Sequence, residues 1–572
     1  MTDPAVTRSA ETHEVRPELV ERVREWIAAD PDAEDRDTLE RLVAAGDEEE
    51  LDRRFAHPLE FGTAGLRGPE MAGPAGMNRL SVRRTTQGVV AWLAATGADL
   101  ERGVVVGRDA RHGSERFNDE VVRVLLGAGV VVWEMPRPLP TPLVSYAVRA
   151  LGAVAGIMIT ASHNPPLDNG YKLYGPDASQ IIPPHDATVQ DGARRAGPAI
   201  LGDRDDPRHH VIGAPVLDAY RDHLVARFAV PGGSDLAVAY TPLHGVGGRL
   251  ATEMLAAAGF SRVAVVESQF VPDPAFPTLV FPNPEEPGAL DLAMARADEV
   301  GADLVIANDP DADRLGAAVR GPAGWRVLLG DEIGWLLGSH LLATATGPDD
   351  VVATSVVSST MLAAMAERAG VRCVTTLTGF KWIAKAAGTG VLRFGYEEAL
   401  GFAVDPLVAD KDGVSAALAL CRLAHDLARE GRTLLDRLDD LERDYGVHAI
   451  DHRSWRVEGD HARERLRDAY EGLRDAPPSV VGAATVREVA DLARGWRGLP
   501  PTTGLVLVLD DARVVVRPSG TEPKLKAYVE VTAAPSLALV EHRAAAHVRA
   551  AAILDELSER LDLSSPDPRS PA

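Results

Sequence analysis

Residues 155–166 read Ala155-Gly156-Ile157-Met158-Ile159-Thr160-Ala161-Ser162-His163-Asn164-Pro165-Pro166, an apolar run that passes directly into a polar loop ending in proline. The run predicts a buried strand. A second change of the same kind occurs where Leu304-Val305-Ile306-Ala307 meets Asn308-Asp309-Pro310-Asp311-Ala312-Asp313-Arg314. In α/β proteins ligands bind in loops past the carboxyl ends of strands, so both loops are candidates for chemistry.

Outward from this stretch the chain alternates. Before it lie an apolar helical pattern at 79–95, a strand at 104–106, a helix opening near Ser114 and a strand at 130–133. After it come strands at 236–240, 263–267 and 304–307 around a helix at 249–258. An apolar helix from Asp331, strands at 351–355 and 392–395 and an amphipathic helix at 415–432 follow. Strands spaced by helical patterns predict βαβ units and mixed, mainly parallel sheets. Towards the C-terminus, strands at 484–489, 504–509, 512–517 and 524–531 are separated by turns alone and precede a helix at 536–561, which predicts an α+β domain. Residues 17–55 carry helical periodicity (Leu19, Val23, Trp26, Ile27, Leu39, Leu42) and nothing chemical.

The fold class is therefore α/β with four domains. A helical preface at 1–55 leads into three related α/β domains at 56–215, 216–330 and 331–450. A C-terminal α+β domain at 451–565 and a disordered tail at 566–572 complete the chain. The stretch 189–215, rich in charge, Gly and Pro, reads as a linker. The three α/β units suggest a repeat of fold, though no residue-level repeat is visible.

A length of 572 residues agrees, at roughly one domain per 150 residues. Hydrophobic residues at 45% and charged residues at 25% exclude fibrous and wholly disordered classes. No stretch reaches the apolar length of a membrane helix and residues 1–15 hold no apolar signal core, so the expected location is cytoplasmic. Cys373 and Cys421 are too few for a disulfide framework or a zinc site and read as buried thiols. A net charge of -24 repels nucleic acid and anionic membranes, so neither is an expected partner. An anionic ligand would require a local cluster of cations.

Ser162 stands where a nucleophile would stand, yet Thr160 and Asn164 occupy the places where a nucleophile elbow needs glycine. Read alone, Ser162 could equally cap a turn, with His163 on the surface. Asp309, Asp311 and Asp313 alternate along one loop, an arrangement of hard oxygen ligands that suits a cation or else forms a solvated acidic turn. An EF-hand is excluded because Arg314 and Arg320 occupy its glycine and glutamate positions. The open positions left by three ligands suit Mg²⁺ bound with a phosphate, which Arg314 could help neutralise. Arg517-Pro518-Ser519-Gly520-Thr521-Glu522-Pro523, with Lys524 and Lys526 beyond, is the local cation cluster, a phosphate-holding set or a hairpin turn but no Walker loop. Phe394-Gly395-Tyr396-Glu397-Glu398-Ala399-Leu400-Gly401 offers adjacent carboxylates that could accept hydrogen bonds from vicinal hydroxyls, or else forms a solvated turn. Phe61-Gly62-Thr63-Ala64-Gly65-Leu66-Arg67-Gly68 is a glycine-rich loop ending in a cation.

In this order the five segments resemble the α-D-phosphohexomutase family, the phosphoglucomutases and phosphomannomutases, over about residues 61–531. The resemblance implies four domains around a central cleft, each contributing one motif. It implies that Ser162 is carried as phosphoserine, with one Mg²⁺ per active site held by Asp309, Asp311, Asp313 and a phosphoserine oxygen. It further implies a mutase that interconverts glucose 1-phosphate and glucose 6-phosphate through a sugar 1,6-bisphosphate, which is also its activator. Lys172 matches the family's candidate general acid/base, with phosphate binding as its alternative role. Arg67, His163 and Arg314 match active-site positions. Glu397 matches the hydroxyl-binding glutamate, with Glu398 beside it. Thr378, Gly379 and Lys381 match a sugar-phosphate contact, and Arg517, Ser519, Gly520 and Thr521 a loop holding the phosphate that is not reacting.

The departures bear on the sugar. Where the family commonly has G-E-x-S-G, Tyr396 and Leu400 replace the glycines and Ala399 the serine, which removes one hydroxyl contact. With Asn283-Pro284-Glu285-Glu286 and Asp410-Lys411-Asp412-Gly413, this loop resembles the branch that includes phosphopentomutases and glucose-1,6-bisphosphate synthases. Glucose is the first expectation, with mannose and ribose or deoxyribose phosphates behind it. A phosphatase using the same serine and a non-catalytic sugar-phosphate sensor are the rival readings. Monomer and dimer both remain open.

Overall fold

The computed structural model describes residues 15–62, 65–345, 347–457, 461–518 and 524–563. The expected disordered tail, 566–572, lies outside them. Helices α1 (Pro17–Ala29), α2 (Ala33–Ala45) and α3 (Glu48–Phe55) close a small core of Leu19, Val23, Trp26, Leu39, Leu51 and Phe55 over Ala72 and Leu80 of the next domain.

The first sheet holds β1 (Leu66–Pro69), β2 (Val104–Arg108), β3 (Val132–Glu134), β4 (Ala155–Ile159), β5 (Asp168–Tyr174) and β6 (His209–Val211). The second holds β7 (Ser234–Thr241), β8 (Phe260–Val265), β9 (Leu304–Ala307), β10 (Gly316–Gly321) and β11 (Gly324–Val327). The third holds β12 (Asp350–Ser355), β13 (Arg372–Thr376), β14 (Val391–Glu397) and β15 (Gly401–Ala403). Four strands recur in one order: β5-β4-β2-β3, then β10-β9-β7-β8, then β15-β14-β12-β13. In each set three strands run parallel and the fourth returns antiparallel beside the third. The repeat is one of backbone path. It puts three turns in equivalent places: 160–167, 308–315 and 398–400. β4, β9 and β12 are buried along their whole length, as strands covered by helices on both faces must be.

The fourth sheet holds β16 (Val447–Arg456), β17 (Val480–Val481), β18 (Ala484–Asp491), β19 (Leu505–Leu509), β20 (Ala512–Pro518) and β21 (Lys524–Ala533), antiparallel throughout in the order β16-β21-β20-β19-β18-β17. Helices Ala462–Asp475 and Leu539–Arg560 cover one face through Leu466, Tyr470, Ile553 and Leu557. The other face packs Val506, Val515 and Tyr528 against Val356, Val357 and Leu377 of the third domain.

Two expectations need correction. The stretch 189–215 is not a plain linker, since helix His185–Arg194 buries Val189 and residues 209–211 form an edge strand. The helix docks on helix Arg79–Ala95 through facing glycines, and a Cβ on Gly192 would lie 2.8 Å from Gly88 Cα. Glycine there serves close packing, which composition alone reads as a loop. The expected division between 450 and 451 falls inside β16, whose charged, half-buried residues hide its strand pattern. Cys421 is buried and Cys373 half-buried, both as free thiols. Among the described residues no helix is long and apolar enough to cross a membrane.

Candidate active site

The three equivalent turns converge, and each carries one non-glycine residue in the left-handed region: Ser162 (φ 55), Ala312 (φ 56) and Leu400 (φ 60). Such backbone is costly and persists where surroundings over-determine it. Thr160 Oγ1 accepts from Ser162 N at 2.8 Å, and Ser162 Oγ donates to Asp309 Oδ2 at 2.9 Å. His163 Nδ1 lies 3.1 Å from the same hydroxyl. Loss of hydration, then the Arg314 and Arg67 guanidiniums, push His163 well below its ordinary range, so the ring is neutral.

Asp309, Asp311 and Asp313 are fully buried, and one oxygen of each lies within 4.8 Å of the others. Their remaining oxygens are held from outside. Lys172 Nζ donates to Asp311 Oδ2 at 2.7 Å and Asp313 Oδ2 at 2.6 Å, Lys411 reaches Asp313 Oδ2 at 2.8 Å, and Thr141 Oγ1 donates to Asp311 Oδ2. Asp311 Oδ1 and Asp313 Oδ1 are buried without a hydrogen-bond partner. Buried carboxylate oxygens without a partner are costly unless a cation gathers them, and three aspartates offering one oxygen each within 4.8 Å of one another are a donor set that fits a hard divalent ion. Burial first, then repulsion from Asp313 and Asp311, raises Asp309 to about 8. Burial pushes Asp313 in the same direction, but Lys172, Lys411 and Arg314 outweigh it and hold this carboxyl below the usual range.

The turn at 398–400 meets the aspartate loop directly, since Leu315 N donates to Leu400 O at 3.1 Å and Arg314 forms a β-bridge with Gly401. Arg314 N donates to Asp309 Oδ1 at 3.0 Å and its guanidinium reaches Glu285 at 3.3 Å. Arg67, on β1, lies 3.4 Å from Asn164 Oδ1 and keeps Nε buried and unpaired. Burial raises Glu397 to about 7 against the pull of Lys411. Glu398 Oε2 accepts from Ser355 Oγ and Ser358 Oγ, both at 3.2 Å. Lys381 Nζ donates to Gly62 O across domains at 3.3 Å, two residues after Gly379, whose φ is 106. Arg517 donates to Thr378 Oγ1, joining the fourth domain to the third. Ser519, Gly520 and Thr521 lie outside the described residues.

Three groups at the site escaped sequence reasoning. Arg111 is 3% exposed and its guanidinium donates to the carbonyls of Ser162, Asn164, Pro165 and Asp168 at 2.6 to 3.0 Å. Lys411 and Gly413 belong to the Asp410–Gly413 motif, and a Cβ on Gly413 would meet Arg314 O at 2.1 Å. Ser355 and Ser358 complete the set. The only signal for any of them was their place after a strand or inside a noted motif.

A cleft of about 1820 Å³ opens over these loops, lined among others by Arg67, His163, Arg314, Glu398 and Lys526, with residues of all four domains in its wall.

Comparison with known proteins gives a match for each domain. Models described as phosphoglucomutase/phosphomannomutase, alpha/beta/alpha domains I, II and III, match residues 58–198, 218–323 and 329–445. The C-terminal domain of the same set matches residues 479–547. A probable phosphomannomutase of Haemophilus influenzae is 40% identical over 463 residues, covering 80% of this chain and 93% of its own length. A phosphopentomutase of Mus musculus is 35% identical over 573 residues, covering 92% of each. The crystal structure of a putative phosphomannomutase from Thermus thermophilus superposes with a TM-score of 0.65 at 23% identity, over 86% of this chain and 99% of that one, which supports the fold.

Proposed function

We infer the activity from one premise: this chain belongs to the phosphoglucomutase/phosphomannomutase family and is a phosphosugar mutase. The finer reading is that it interconverts glucose 1-phosphate and glucose 6-phosphate through phosphoserine and a sugar bisphosphate, in the cytoplasm. The observation that carries it is the Ser162 hydroxyl, 2.9 Å from Asp309 Oδ2 and 3.1 Å from His163 Nδ1, with His163, Arg67 and Arg314 all lining the cleft.

In this reading the P–O bond to Ser162 breaks as one forms to the free sugar hydroxyl, whose proton leaves to a base. Reversal with the other phosphate regenerates phosphoserine. Mg²⁺, held by Asp309, Asp311 and Asp313, supplies charge stabilisation to the transferring phosphoryl group when bound. Arg314 and Arg67 add fixed positive charge where oxygens gain negative charge. Neutral His163 orients the serine oxygen. Lys172, held by Asp311 and Asp313, is the candidate to protonate Ser162 Oγ as the phosphoryl leaves it. Glu397 accepts sugar hydroxyls, Thr378, Gly379 and Lys381 make a further sugar-phosphate contact, and Arg517, with Ser519, Gly520 and Thr521, holds the phosphate that is not reacting.

A pentose reading stands beside the glucose one. It is favoured by Ala399, which withholds a hydroxyl contact at the sugar loop. Initial rates with Mg²⁺ and a trace of bisphosphate, run on glucose 1-phosphate, mannose 1-phosphate and ribose 1-phosphate, decide between them. Dominance of glucose supports the first reading and dominance of ribose replaces it. Free phosphate with no isomer formed overturns both, as does unchanged turnover by Ser162→Ala.

A further inference from the structure

Residues 358–360 form the turn between β12 and helix Met361–Ala369, and they divide their polar atoms between two domains. On one side, Ser358 Oγ donates to Glu398 Oε2 and accepts from Glu398 N, both at 3.2 Å, so one hydroxyl grips the side chain and the backbone of the same residue. Ser355 Oγ, 2.8 Å from Ser358 Oγ, adds a second contact to Glu398 Oε2 at 3.2 Å. On the other side, Arg513 of the fourth sheet donates to Ser358 O at 2.5 Å and lies 3.1 Å from Glu530 Oε2. Glu530 Oε1 accepts from Ser359 Oγ at 2.8 Å, Thr360 N at 2.7 Å and Thr360 Oγ1 at 3.0 Å. Ser359 N donates in turn to Asp331 Oδ1 at 2.7 Å, which also accepts from Tyr396 OH at 2.7 Å. Glu398 lines the cleft, while Glu530 is buried.

We propose that Ser358 is a positioning residue that couples the seating of the fourth domain to Glu398, and that Glu398 is a specificity-determining acceptor for hydroxyls of the sugar ring. This rests on the mutase reading above. A glutamate side chain at a cleft wall is free to sample rotamers unless held, and Glu398 is held by hydroxyls of a turn whose own place is fixed by Arg513 and Glu530. Glu398 stands beside Ala399, where a side-chain hydroxyl is missing, so it adds a second carboxylate to that of Glu397. The fourth domain carries Arg517. Engagement of a phosphate there and recognition of hydroxyls at Glu398 then share one turn, so binding at one end of a sugar phosphate favours ordered recognition at the other.

A double-mutant cycle tests the coupling, with kcat and KM measured on the preferred sugar phosphate and on one lacking a ring hydroxyl. Arg513→Gln is expected to lower kcat/KM for the preferred sugar roughly tenfold, and far less in an Glu398→Gln background, because contacting networks are non-additive. Ser358→Ala should narrow the preference between the two sugars, lowering kcat/KM for the preferred sugar more than for the poorer one. Should Ser358→Ala fail to fold, as judged by its melting curve, Ser355→Ala and the Arg513 cycle carry the same test. Additive losses in the cycle, or an unchanged sugar preference in the serine variants, overturn the proposal. A wild-type protein that forms no isomer would instead remove the mutase reading itself.

Discussion

Lys172 and Lys411 share one oxygen: both ammonium groups donate to Asp313 Oδ2, at 2.6 and 2.8 Å, from different domains. The shared contact fixes Asp313 through Oδ2 and leaves its Oδ1, like that of Asp311, without a hydrogen-bond partner. Groups that orient a ligand from behind typically change metal affinity or activity 10- to 100-fold when removed. Lys411→Met is therefore expected to weaken Mg²⁺ or Mn²⁺ binding by roughly that factor, with Lys411→Arg recovering part of it. Calorimetric titration of the metal into each variant is the check, and an unchanged affinity would remove Lys411 from the site.

Arg111 bears on the serine loop in a different way. Its guanidinium spans four carbonyls and lies 3.3 Å from Asp109, a fork that a lysine ammonium cannot reproduce. Arg111→Lys should leave KM for sugar phosphate near the wild-type value while kcat falls about 100-fold, as misplacement of a reacting group does. The rate of phosphoryl transfer from labelled bisphosphate to Ser162 should fall in parallel. A variant that phosphorylates Ser162 at the wild-type rate would show that the loop holds its shape without the clamp.

Glu530 makes the docking of the fourth domain sensitive to acid. Burial pushes its carboxyl up, but Arg513, His448 and the Thr360 amide outweigh burial and hold it at about 2, against 4.5 when unfolded. A carboxyl depressed in the fold stabilises fully above its unfolded value and loses that contribution as pH falls from about 4.5 towards 2. The difference is worth about 3 kcal/mol. Glu530→Gln should lower the melting temperature at pH 7, and the gap to wild type should shrink by more than half as pH falls to 3. A gap that does not change with pH would assign the loss to geometry rather than charge.

The fold was legible where periodicity was undisturbed. Val104–Val106, Ala155–Ile159 and Leu304–Ala307 are strands because an apolar run can be buried only between helices, and both site loops follow from their ends. β5, which carries Lys172, was not legible: Asp168-Asn169-Gly170-Tyr171-Lys172-Leu173-Tyr174 buries polar residues against partners distant in sequence, some of them in other domains. Asn169 donates to Glu70 and Lys172 to the aspartates, and no local pattern can announce a partner about 100 residues away. Arg111 and Lys411 were missed for the same reason, since a buried cation reads as a surface one until its acceptors are placed. The alternating aspartates suggest a cation from the residues alone and the resemblance adds the phosphoserine reading of Ser162, but neither names the residues that hold these loops.

The sugar preference can be moved by one atom. Ala399 is half-buried beside Glu398, in a loop whose backbone is fixed by Leu400 O and by the Arg314 to Gly401 bridge, so a serine there would carry its hydroxyl on a frame already set. A site that hydrogen-bonds a substrate hydroxyl discriminates strongly against analogues lacking it, because the buried group is then left unpaired. A single neutral hydrogen bond contributes about 1 kcal/mol net, which is roughly fivefold in kcat/KM. Ala399→Ser is therefore expected to raise the ratio of kcat/KM for glucose 1-phosphate over ribose 1-phosphate by about that factor, with Glu398 and Ser358 unchanged. Because the substitution adds a group and removes none, a loss of all activity would point to a steric clash. An unchanged ratio would place the sugar's distinguishing hydroxyl elsewhere in the cleft, and the ring contacts of Glu397 and Glu398 would then have to account for the whole preference.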